Sequence, residues 1–350
     1  MSEGKFIVAL TADFNDDAGA PKFRDIGLSV LAGHPHIEQR VFQRHCNPIE
    51  AGQIGGAQGV IVLAPSVTAQ SVSKSDSLLV MARFGVGYDN VDVKACTGAS
   101  VLVTITIGAV DRPVAEAAIG WMIALGHNVR VKDGLVRAGR WDERSKYMGR
   151  ELRDRALGVI GLGRIARKTI ELLRGFGMKQ PLAFDPFVKP ETAASIGARL
   201  VSLEELLAEA DFVSIHCPLT GQTRGLIGAR ELALMKPEAY LLNTARGGIV
   251  DEEALYQALK SRRIAGAALD CFAQEPATGP HRFGELDNVL LAPHSIAWTN
   301  EAFRDMGRAA CQVMVDLALG VKPRGVLNLE LFDQPAFQAK WKRFQQRAAS

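Results

Sequence analysis

The stretch "ALGVIGLGRIARKTIELLRGFG" (residues 156–177) decides the fold of this chain. It runs from a short apolar segment through a glycine-rich turn into a segment whose apolar residues have helical spacing. Buried apolar strands that alternate with helices are typical of a parallel sheet. The alternation continues downstream in "PLAFD", "DFVSIH", "AYLLNT", "GAALD" and "NVLLAP". We therefore predict a doubly wound parallel α/β sheet.

The turn itself, residues 161–166, has the pattern G-x-G-x-x-A. Gly161 permits a tight turn, Gly163 lets a pyrophosphate approach the backbone, and Ala166 allows close helix–strand packing. The N-terminus of the following helix offers N–H groups and a positive dipole to phosphates. Asp185 ends the next apolar run, 24 residues after Gly161. This context favours a dinucleotide site over a purely structural turn.

Asp185 also bears on which dinucleotide is bound. A carboxylate there accepts hydrogen bonds from the adenosine ribose and repels a 2′-phosphate. The residues that follow, Pro186-Phe187-Val188, include no arginine to neutralise such a phosphate. The sequence favours NAD over NADP.

The N-terminal region has a looser form of the same alternation, with four candidate strands in "FIVAL", "GVIVLA", "LLVMARF" and "SVLVTIT". Long helical patterns run from about Pro113 to Val136 and from about Asn300 to Leu319. We expect the chain to leave a first domain by one helix and to return by the other. The predicted fold is two Rossmann-like parallel-sheet lobes, with an NAD-binding domain (113–300) inserted into a substrate-binding domain (1–112 plus 301–350).

Composition excludes several classes of protein. The 350 residues are 47% hydrophobic and 23% charged, with a net charge of +3 and scattered basic residues, which does not suggest nucleic-acid binding. The patch "AAIGWMIALG" (117–126) is too short to span a membrane. The start "MSEGKFIVAL" is not typical of a leader peptide. Five scattered cysteines fit a cytoplasmic protein better than a disulfide framework or a metal site.

Three chemically complementary residues follow successive candidate strands. Arg246 lies in "LLNTARGGIVDEEAL" (241–255), Glu275 in "DCFAQEP", and His294 after "NVLLAP". Each residue alone has an ordinary structural explanation. Because ligands of open α/β sheets bind beyond the carboxyl ends of the strands, we expect the three to share one site. An arginine fork suits a carboxylate, and a glutamate-oriented histidine suits proton transfer.

The order of several long motifs resembles the D-isomer-specific 2-hydroxyacid dehydrogenase family. The matching segments are "GLGRIARK", "HCPLTGQTRGLI", "LMKPEAYLLNTARGGIVDEEAL", "IAGAALDCFAQEP" and "NVLLAPHSIAWT", and upstream "ARFGVGYDNVD" and "RPVAEA". The resemblance implies NAD-dependent hydride transfer between nicotinamide and a small D-2-hydroxy acid or 2-keto acid.

The resemblance also assigns roles to residues. It implies a catalytic triad of Arg246, Glu275 and His294, with Val86 and Gly87 binding the substrate carboxylate through backbone N–H groups together with Arg246. His216 and Cys217 have no partners spaced for a metal or nucleophile site, so we interpret their loop as lining the cofactor. The expected cofactor contacts are Gly161, Gly163, Arg164, Ile165, Asp185, Cys217, Pro218, Thr223, Thr244, Arg246, Asp270 and His294, with no metal.

The chain departs from the family pattern where substrates are selected. Ile105 and Ile107 replace an asparagine and a proline of an N-T-P-G-like turn, and Arg112 precedes the VAE segment. With no partner assigned, Arg112 favours a substrate with a second anionic or polyhydroxylated end, of the glycerate or sugar-acid type. The alternative is an ion pair of Arg112 with Asp111 or Glu116. Trp298 is interpreted as a packing residue.

Other functions of the same fold stay open. Formate enzymes resemble a version with glutamine at the position of Glu275, so this residue argues against them, whereas phosphite oxidation is compatible with the triad. An NAD-sensing, corepressor-like binding protein would also retain the triad. The order arginine, glutamate, histidine argues against a homocysteine-ester hydrolase.

A homodimer is also expected. The segment "AAIGWMIALGHNV" (117–129) is apolar on successive faces, which predicts that it covers its own lobe and also meets a second copy. The alternative is a helix buried between the two lobes of one chain.

Overall fold

The computed structural model of the chain describes residues 4–74 and 76–348. Two short segments with predictions attached to them lie outside this range. They are residues 1–3, at the start of the stretch predicted to carry no leader, and residues 349–350, at the end of the predicted substrate-binding domain. The chain divides into two compact units. Unit 1 comprises Met1–Val110 and Trp298–Ser350, and unit 2 comprises Asp111–Ala297.

Each unit is built on one parallel sheet. In unit 1 the strands are β1 (Phe6–Leu10), β2 (Ile37–Val41), β3 (Gly59–Val62), β4 (Val80–Arg83) and β5 (Leu102–Ile105). In unit 2 they are β6 (Leu157–Ile160), β7 (Leu182–Phe184), β8 (Arg199–Leu200), β9 (Phe212–Ile215), β10 (Tyr240–Asn243), β11 (Gly266–Leu269) and β12 (Val289–Leu291).

Helices separate the strands. They are α1 (Ser29–Ala32), α2 (Ala51–Ile54), α3 (Val93–Gly98), α4 (Asp111–Gly126), α5 (Val129–Arg137), α6 (Arg164–Leu172), α7 (Pro190–Ser195), α8 (Leu203–Glu209), α9 (Ala229–Leu234), α10 (Glu252–Lys260), α11 (Asn300–Ala318) and α12 (Pro335–Ala348). Short 3-10 helices occupy Ala12–Phe14, Trp141–Tyr147, Leu173–Phe176, Arg282–Glu285 and Leu329–Asp333.

The sheet of unit 2 has the order β12-β11-β10-β9-β6-β7-β8, and every pair of neighbours is parallel. The central strands β6, β9, β10 and β11 are almost entirely buried, which explains their continuous apolar runs. The chain moves outward from β6 first through β7 and later through β9. Such a reversal opens a crevice beyond the carboxyl end of the first strand.

The predicted single helix from Pro113 to Val136 is wrong, because the chain breaks between α4 and α5. Asn128 adopts a left-handed conformation (φ 54°), and the carbonyl of Gly126 accepts a hydrogen bond from the N–H of Arg150 at 2.7 Å. A single continuous helix would occupy that carbonyl with its own N–H groups. The two helices therefore run as separate elements.

The apolar side chains of α4 lie in the core of unit 2. Trp121, Met122 and Leu125 are buried in a cluster that also holds Ala166 and Ile170 of α6. These side chains are therefore not available to a second copy, and the burial of α4 does not support the expectation that this segment forms a dimer interface.

The sheet of unit 1 has the order β2-β1-β3-β4-β5 and is also all parallel. Its core includes α11 and α12, through Met314 and Phe337 among others. The ammonium group of Lys340 on α12 donates to the carbonyls of Leu78 (3.0 Å) and Ser100 (2.8 Å), so this helix is hydrogen-bonded to the sheet as well as packed on it.

The predicted fold class, two doubly wound parallel-sheet units with one inserted into the other along the chain, is confirmed. Strands β2 and β8 were not predicted. The sequence of β2, "IEQRV", is mostly polar, and β8 is two residues long. Across the residues described, none of the helices combines the length and apolar character that crossing a bilayer requires.

We predict that Gly307→Ala destabilises unit 1, because at this glycine α11 lies directly against the backbone of Ile26. A Cβ at Gly307 would lie 1.7 Å from the carbonyl oxygen of Ile26. We expect a loss of about 1–3 kcal/mol in the free energy of unfolding, measured by urea denaturation. Gly52→Ala is the control, because a Cβ there meets no atom within 4 Å. An equal effect of both substitutions would contradict the close approach.

Candidate functional site

The carboxyl edge of the unit 2 sheet carries most of the predicted site. Gly161 follows β6, Asp185 follows β7, Asp270 follows β11, and His294 lies three residues beyond β12. Thr244 and Arg246 lie in the loop that follows β10, at the same edge of the sheet. Because all the strands are parallel, these residues leave the sheet on one side.

Arg246 is held by a loop that Asn243 shapes. The buried Asn243 side chain accepts from the N–H of Ala245 (3.1 Å) and donates to the carbonyl of Arg246 (2.9 Å). The guanidinium is half-buried and donates through Nη1 to the carbonyl of Ala245 at 2.6 Å. The sequence analysis missed Asn243; the available signal was a polar residue ending an otherwise buried strand.

The Arg246 loop packs directly on the loop that carries Glu275. A Cβ at Gly247 would lie 1.8 Å from the carbonyl oxygen of Phe272, so a side chain at this position cannot be accommodated without moving the backbone. Gly247 thus lets the two loops approach each other.

Glu275 and His294 form a hydrogen-bonded pair. Glu275 Oε2 lies 2.7 Å from His294 Nδ1, and Oε1 accepts from the N–H of Phe272 at 2.8 Å. Burial raises the pKa of the Glu275 carboxyl, but the hydrogen bonds from His294 and Phe272 and the positive charges of His294 and Arg246 outweigh it. The pKa lies below its ordinary value, so this carboxylate is ionised near neutral pH.

Asp270 anchors the loop that presents His294. Its Oδ1 accepts from the N–H groups of Ser295 (2.8 Å) and Ile296 (3.1 Å), and its carbonyl accepts from the N–H of His294 (2.8 Å). His294 has a φ of 52°, a conformation that L-residues rarely adopt. Burial raises the pKa of Asp270, although the two backbone hydrogen bonds oppose it.

Cys271, Glu275 and His294 offer ligand atoms within 4.8 Å of one another. Both oxygens of Glu275 already accept hydrogen bonds. These contacts fix the Glu275 carboxylate against His294.

The glycine-rich turn has the geometry that its sequence predicts. Gly161 adopts a φ of 91°, and a Cβ there would lie 2.8 Å from the backbone nitrogen of Cys217. The Asp185 carboxylate accepts from the N–H groups of Leu162 (2.8 Å) and Phe187 (2.9 Å). Asp185 therefore joins the turn after β6 to the turn after β7.

Comparison with known proteins places this arrangement in a family. A family model described as "D-isomer specific 2-hydroxyacid dehydrogenase, NAD binding domain" matches residues 119–295, about half of the chain. The chain belongs to this family. The matched range contains the glycine-rich turn, Asp185 and the three residues of the predicted triad.

Relatives of the family cover most of the chain. It is 39% identical over 324 residues to a D-3-phosphoglycerate dehydrogenase of Archaeoglobus fulgidus, which spans 89% of this chain and 61% of the relative. It is 36% identical over 278 residues to a glyoxylate reductase of Thermococcus litoralis, or 78% of this chain and 83% of the relative. The crystal structure of a Thermus thermophilus protein superposes with a TM-score of 0.79 at 28% identity, covering 92% of this chain and 99% of that one.

The chain is shorter than several of these relatives. It spans 61%, 48% and 51% of the length of three D-3-phosphoglycerate dehydrogenases from archaea and a cyanobacterium.

NAD is the cofactor, and the residues present fit it. A Cβ at Gly163 would meet no atom within 4 Å, which leaves open space at the start of α6 where backbone N–H groups suit a pyrophosphate. The hydroxyl oxygen of Thr244 is buried and has no hydrogen-bond partner in the part of the chain that the structure describes. It remains a prediction that Gly161, Gly163, Arg164 and Ile165 hold the pyrophosphate and that Asp185 holds the adenosine ribose.

The loop after β9 is shaped by its own side chains. His216 is half-buried, its Nε2 lies 2.9 Å from Ser214 Oγ, and desolvation of the imidazole lowers its pKa to about 4. Thr223 Oγ1 accepts from the N–H of Thr220 (2.7 Å) and donates to the carbonyl of Pro218 (2.6 Å). Burial raises the pKa of the Cys217 thiol to about 11, so it is no thiolate nucleophile at neutral pH.

Val86 and Gly87 lie in unit 1, in the loop after β4. Gly85 opens this loop with a φ of 142°. Within residues 4–74 and 76–348, the backbone N–H groups of Val86 and Gly87 donate no hydrogen bond. They are therefore available to an acceptor from outside the chain.

Two of the unusual residues have local partners. Arg112 forms an ion pair with Glu116 at 2.6 Å, which is one of the two partners that the structural alternative named. The ring of Trp298 contacts those of Phe23 and Phe303 edge to face, at centroid distances of 5.9 and 5.1 Å, and is still 56% exposed.

We predict that Asp185 sets the preference for NADH over NADPH. Asp185→Ala removes the negative charge and the acceptor, and Asp185→Asn removes the charge but keeps an acceptor for the turn. Both substitutions should lower the ratio of the dissociation constant of NADPH to that of NADH by about tenfold or more, because the charged hydrogen bonds from Asp185 to the adenosine ribose are lost. Fluorescence titration with each nucleotide measures the ratio. Equal affinity of the unmodified protein for both nucleotides would contradict the assignment.

Proposed function

We propose that this protein is an NAD-dependent oxidoreductase that transfers a hydride between nicotinamide and a small D-2-hydroxy acid or 2-keto acid. The observation that carries the proposal is the 2.7 Å pair of Glu275 and His294, placed at the sheet edge of an NAD-binding unit. Arg246, whose charge acts on Glu275, completes the set.

Each residue has a chemical task. The Arg246 guanidinium binds the substrate carboxylate and polarises the carbonyl oxygen that is reduced. Glu275 fixes His294 through Nδ1, so Nε2 is the atom that exchanges a proton with the substrate oxygen. The bound cofactor would supply the hydride as NADH in reduction and would accept it as NAD⁺ in oxidation.

Proton transfer follows the direction of the reaction. In reduction, protonated His294 donates from Nε2 to the oxygen of the keto acid, and the ionised Glu275 stabilises the imidazolium before this step. In oxidation, neutral His294 accepts the hydroxyl proton through the same atom. Val86 and Gly87 would bind the carboxylate through their backbone N–H groups.

We further propose a small polar substrate of the glyoxylate or hydroxypyruvate type. The relatives named D-3-phosphoglycerate dehydrogenase and glyoxylate reductase support this class. Arg112 no longer does, because an i,i+4 ion pair with Glu116 accounts for it. The substrate class therefore rests on the relatives rather than on a second cationic group.

The proposal predicts NADH oxidation with 2-keto acids, and its loss in two variants. Glyoxylate and hydroxypyruvate should give a higher kcat/KM than pyruvate or a branched 2-keto acid. His294→Ala and Arg246→Ala should lower kcat/KM about 10²- to 10⁴-fold while NADH still binds. Nicotinamide absorbance measures the rate, and fluorescence measures NADH binding.

Two results would count against this function. If either variant turned over substrate as fast as the unmodified protein, the assignment of Arg246, Glu275 and His294 as a catalytic triad would be wrong. An unmodified protein that binds NADH but reduces none of the keto acids would point instead to an NAD-sensing binding protein. Phosphite with NAD belongs in the same panel, because the triad is compatible with it.

We also propose a homodimer, supported by exposed apolar side chains on α5 and the 3-10 helix that follows it. Val129 and Val136 on α5 are 49% and 57% exposed, and Trp141 and Met148 are 58% and 81% exposed. Exposed large side chains that lie close together in the sequence, from α5 to the residue after the 3-10 helix, favour an interaction surface here. This surface replaces the buried face of α4 as the reason for expecting a dimer.

Light scattering should give the mass of two chains at micromolar concentration, and Trp141→Glu should shift it to one. Leu319→Glu, at an apolar residue of unit 1 with 56% exposure, is the matched control and should stay dimeric. A single-chain mass for the unmodified protein would end the dimer proposal.

A cytoplasmic location is the last part of the proposal. Burial raises the pKa of the Cys96 and Cys311 thiols to about 12, so these two are unreactive core residues that suit a reducing compartment.

A further inference from the structure

The first turn of α4 carries two ion pairs of different character. Arg112 and Glu116 pair along the helix surface, with side chains 67% and 54% exposed. Asp111 instead reaches α6: its Oδ2 lies 2.7 Å from Arg164 Nε, and its side chain is only 11% exposed. The Asp111 carboxylate is thus a buried group committed to one partner on another helix.

Arg164 stands at the start of the cofactor helix. It is the first residue of α6 and follows Gly163, the glycine whose surroundings are open. Asp111 engages its Nε, and the arginine side chain as a whole is 64% exposed. A guanidinium is planar, so fixing Nε also fixes the plane in which the two terminal amino groups lie.

The Asp111 carboxylate has a second favourable contact. It lies in the first turn of α4, where the helix dipole stabilises a negative charge. Its charge is therefore balanced by the helix end and by Arg164 together. A carboxylate balanced in this way can restrain the arginine without presenting an isolated negative charge to a phosphate.

We propose that Asp111 is a positioning residue for NAD: it holds Arg164 by Nε so that the terminal amino groups of the guanidinium bind the pyrophosphate beside Gly163. The inference rests on the NAD site described above and adds a residue that belongs to neither the glycine-rich turn nor the triad. Without Asp111, an exposed arginine must be ordered when the cofactor binds, and that ordering weakens binding.

The test is NADH binding, followed by fluorescence with no keto acid present. Asp111→Ala should raise the dissociation constant about three- to tenfold. Asp111→Asn keeps an oxygen that accepts from Arg164 Nε and should change it less than about twofold. Glu116→Gln, which breaks only the neighbouring exposed pair, should leave it unchanged. Steady-state kinetics should show a higher KM for NADH in Asp111→Ala with kcat retained.

A double-mutant cycle separates positioning from a general loss of structure. Arg164→Ala alters a largely exposed side chain and should itself weaken NADH binding. In that background Asp111→Ala should have no further effect, since the residue that it positions is gone.

Three results would overturn the inference. They are unchanged or tighter NADH binding by Asp111→Ala, unchanged binding by Arg164→Ala, and an undiminished effect of Asp111→Ala in the Arg164→Ala background. Failure of the proposed dehydrogenase activity would appear separately, as NADH binding without turnover of any keto acid.

Discussion

The site of this protein depends on the parallel arrangement of the seven strands in unit 2. Parallel pairing places every carboxyl end on the same edge, so residues far apart in sequence leave the sheet side by side. The same pairing needs helical crossovers, which bury both faces and require apolar strands. One constraint thus accounts for the buried runs of β6, β9, β10 and β11 and for the position of the chemically active loops.

Close backbone approach then turns this edge into a site. Gly247 brings the loop of Arg246 against Phe272, and Asn243 fixes the same loop from within. Asp270 holds the loop of His294 by accepting hydrogen bonds from the backbone N–H groups of Ser295 and Ile296. The loops that carry Arg246 and His294 are therefore held by buried polar groups and by a glycine, and the pair of Glu275 and His294 forms on this support.

Charge is distributed in pairs across unit 2. Glu275 is kept ionised by His294, Phe272 and Arg246, which suits a carboxylate that must stabilise an imidazolium. Asp111 is balanced by Arg164, the first residue of the helix that follows the glycine-rich turn. In both cases a carboxylate that is partly or largely buried is hydrogen-bonded to a basic side chain and so restricts its orientation.

The sequence by itself determined the fold class, the glycine-rich turn, the family and the residue types of the site, because strand periodicity and the G-x-G-x-x-A spacing are local properties. It did not reveal the break at Asn128, the strand β2, or the use of Arg112. The expectation that Glu275 orients His294 came from the sequence, and the tertiary structure supplied the contact between them, 19 residues apart; the pair of Asp111 and Arg164, 53 residues apart, came from the tertiary structure alone. The reason is physical: a hydrogen bond forms between groups that packing brings within about 3 Å of each other, and packing depends on contacts made along the whole sheet edge.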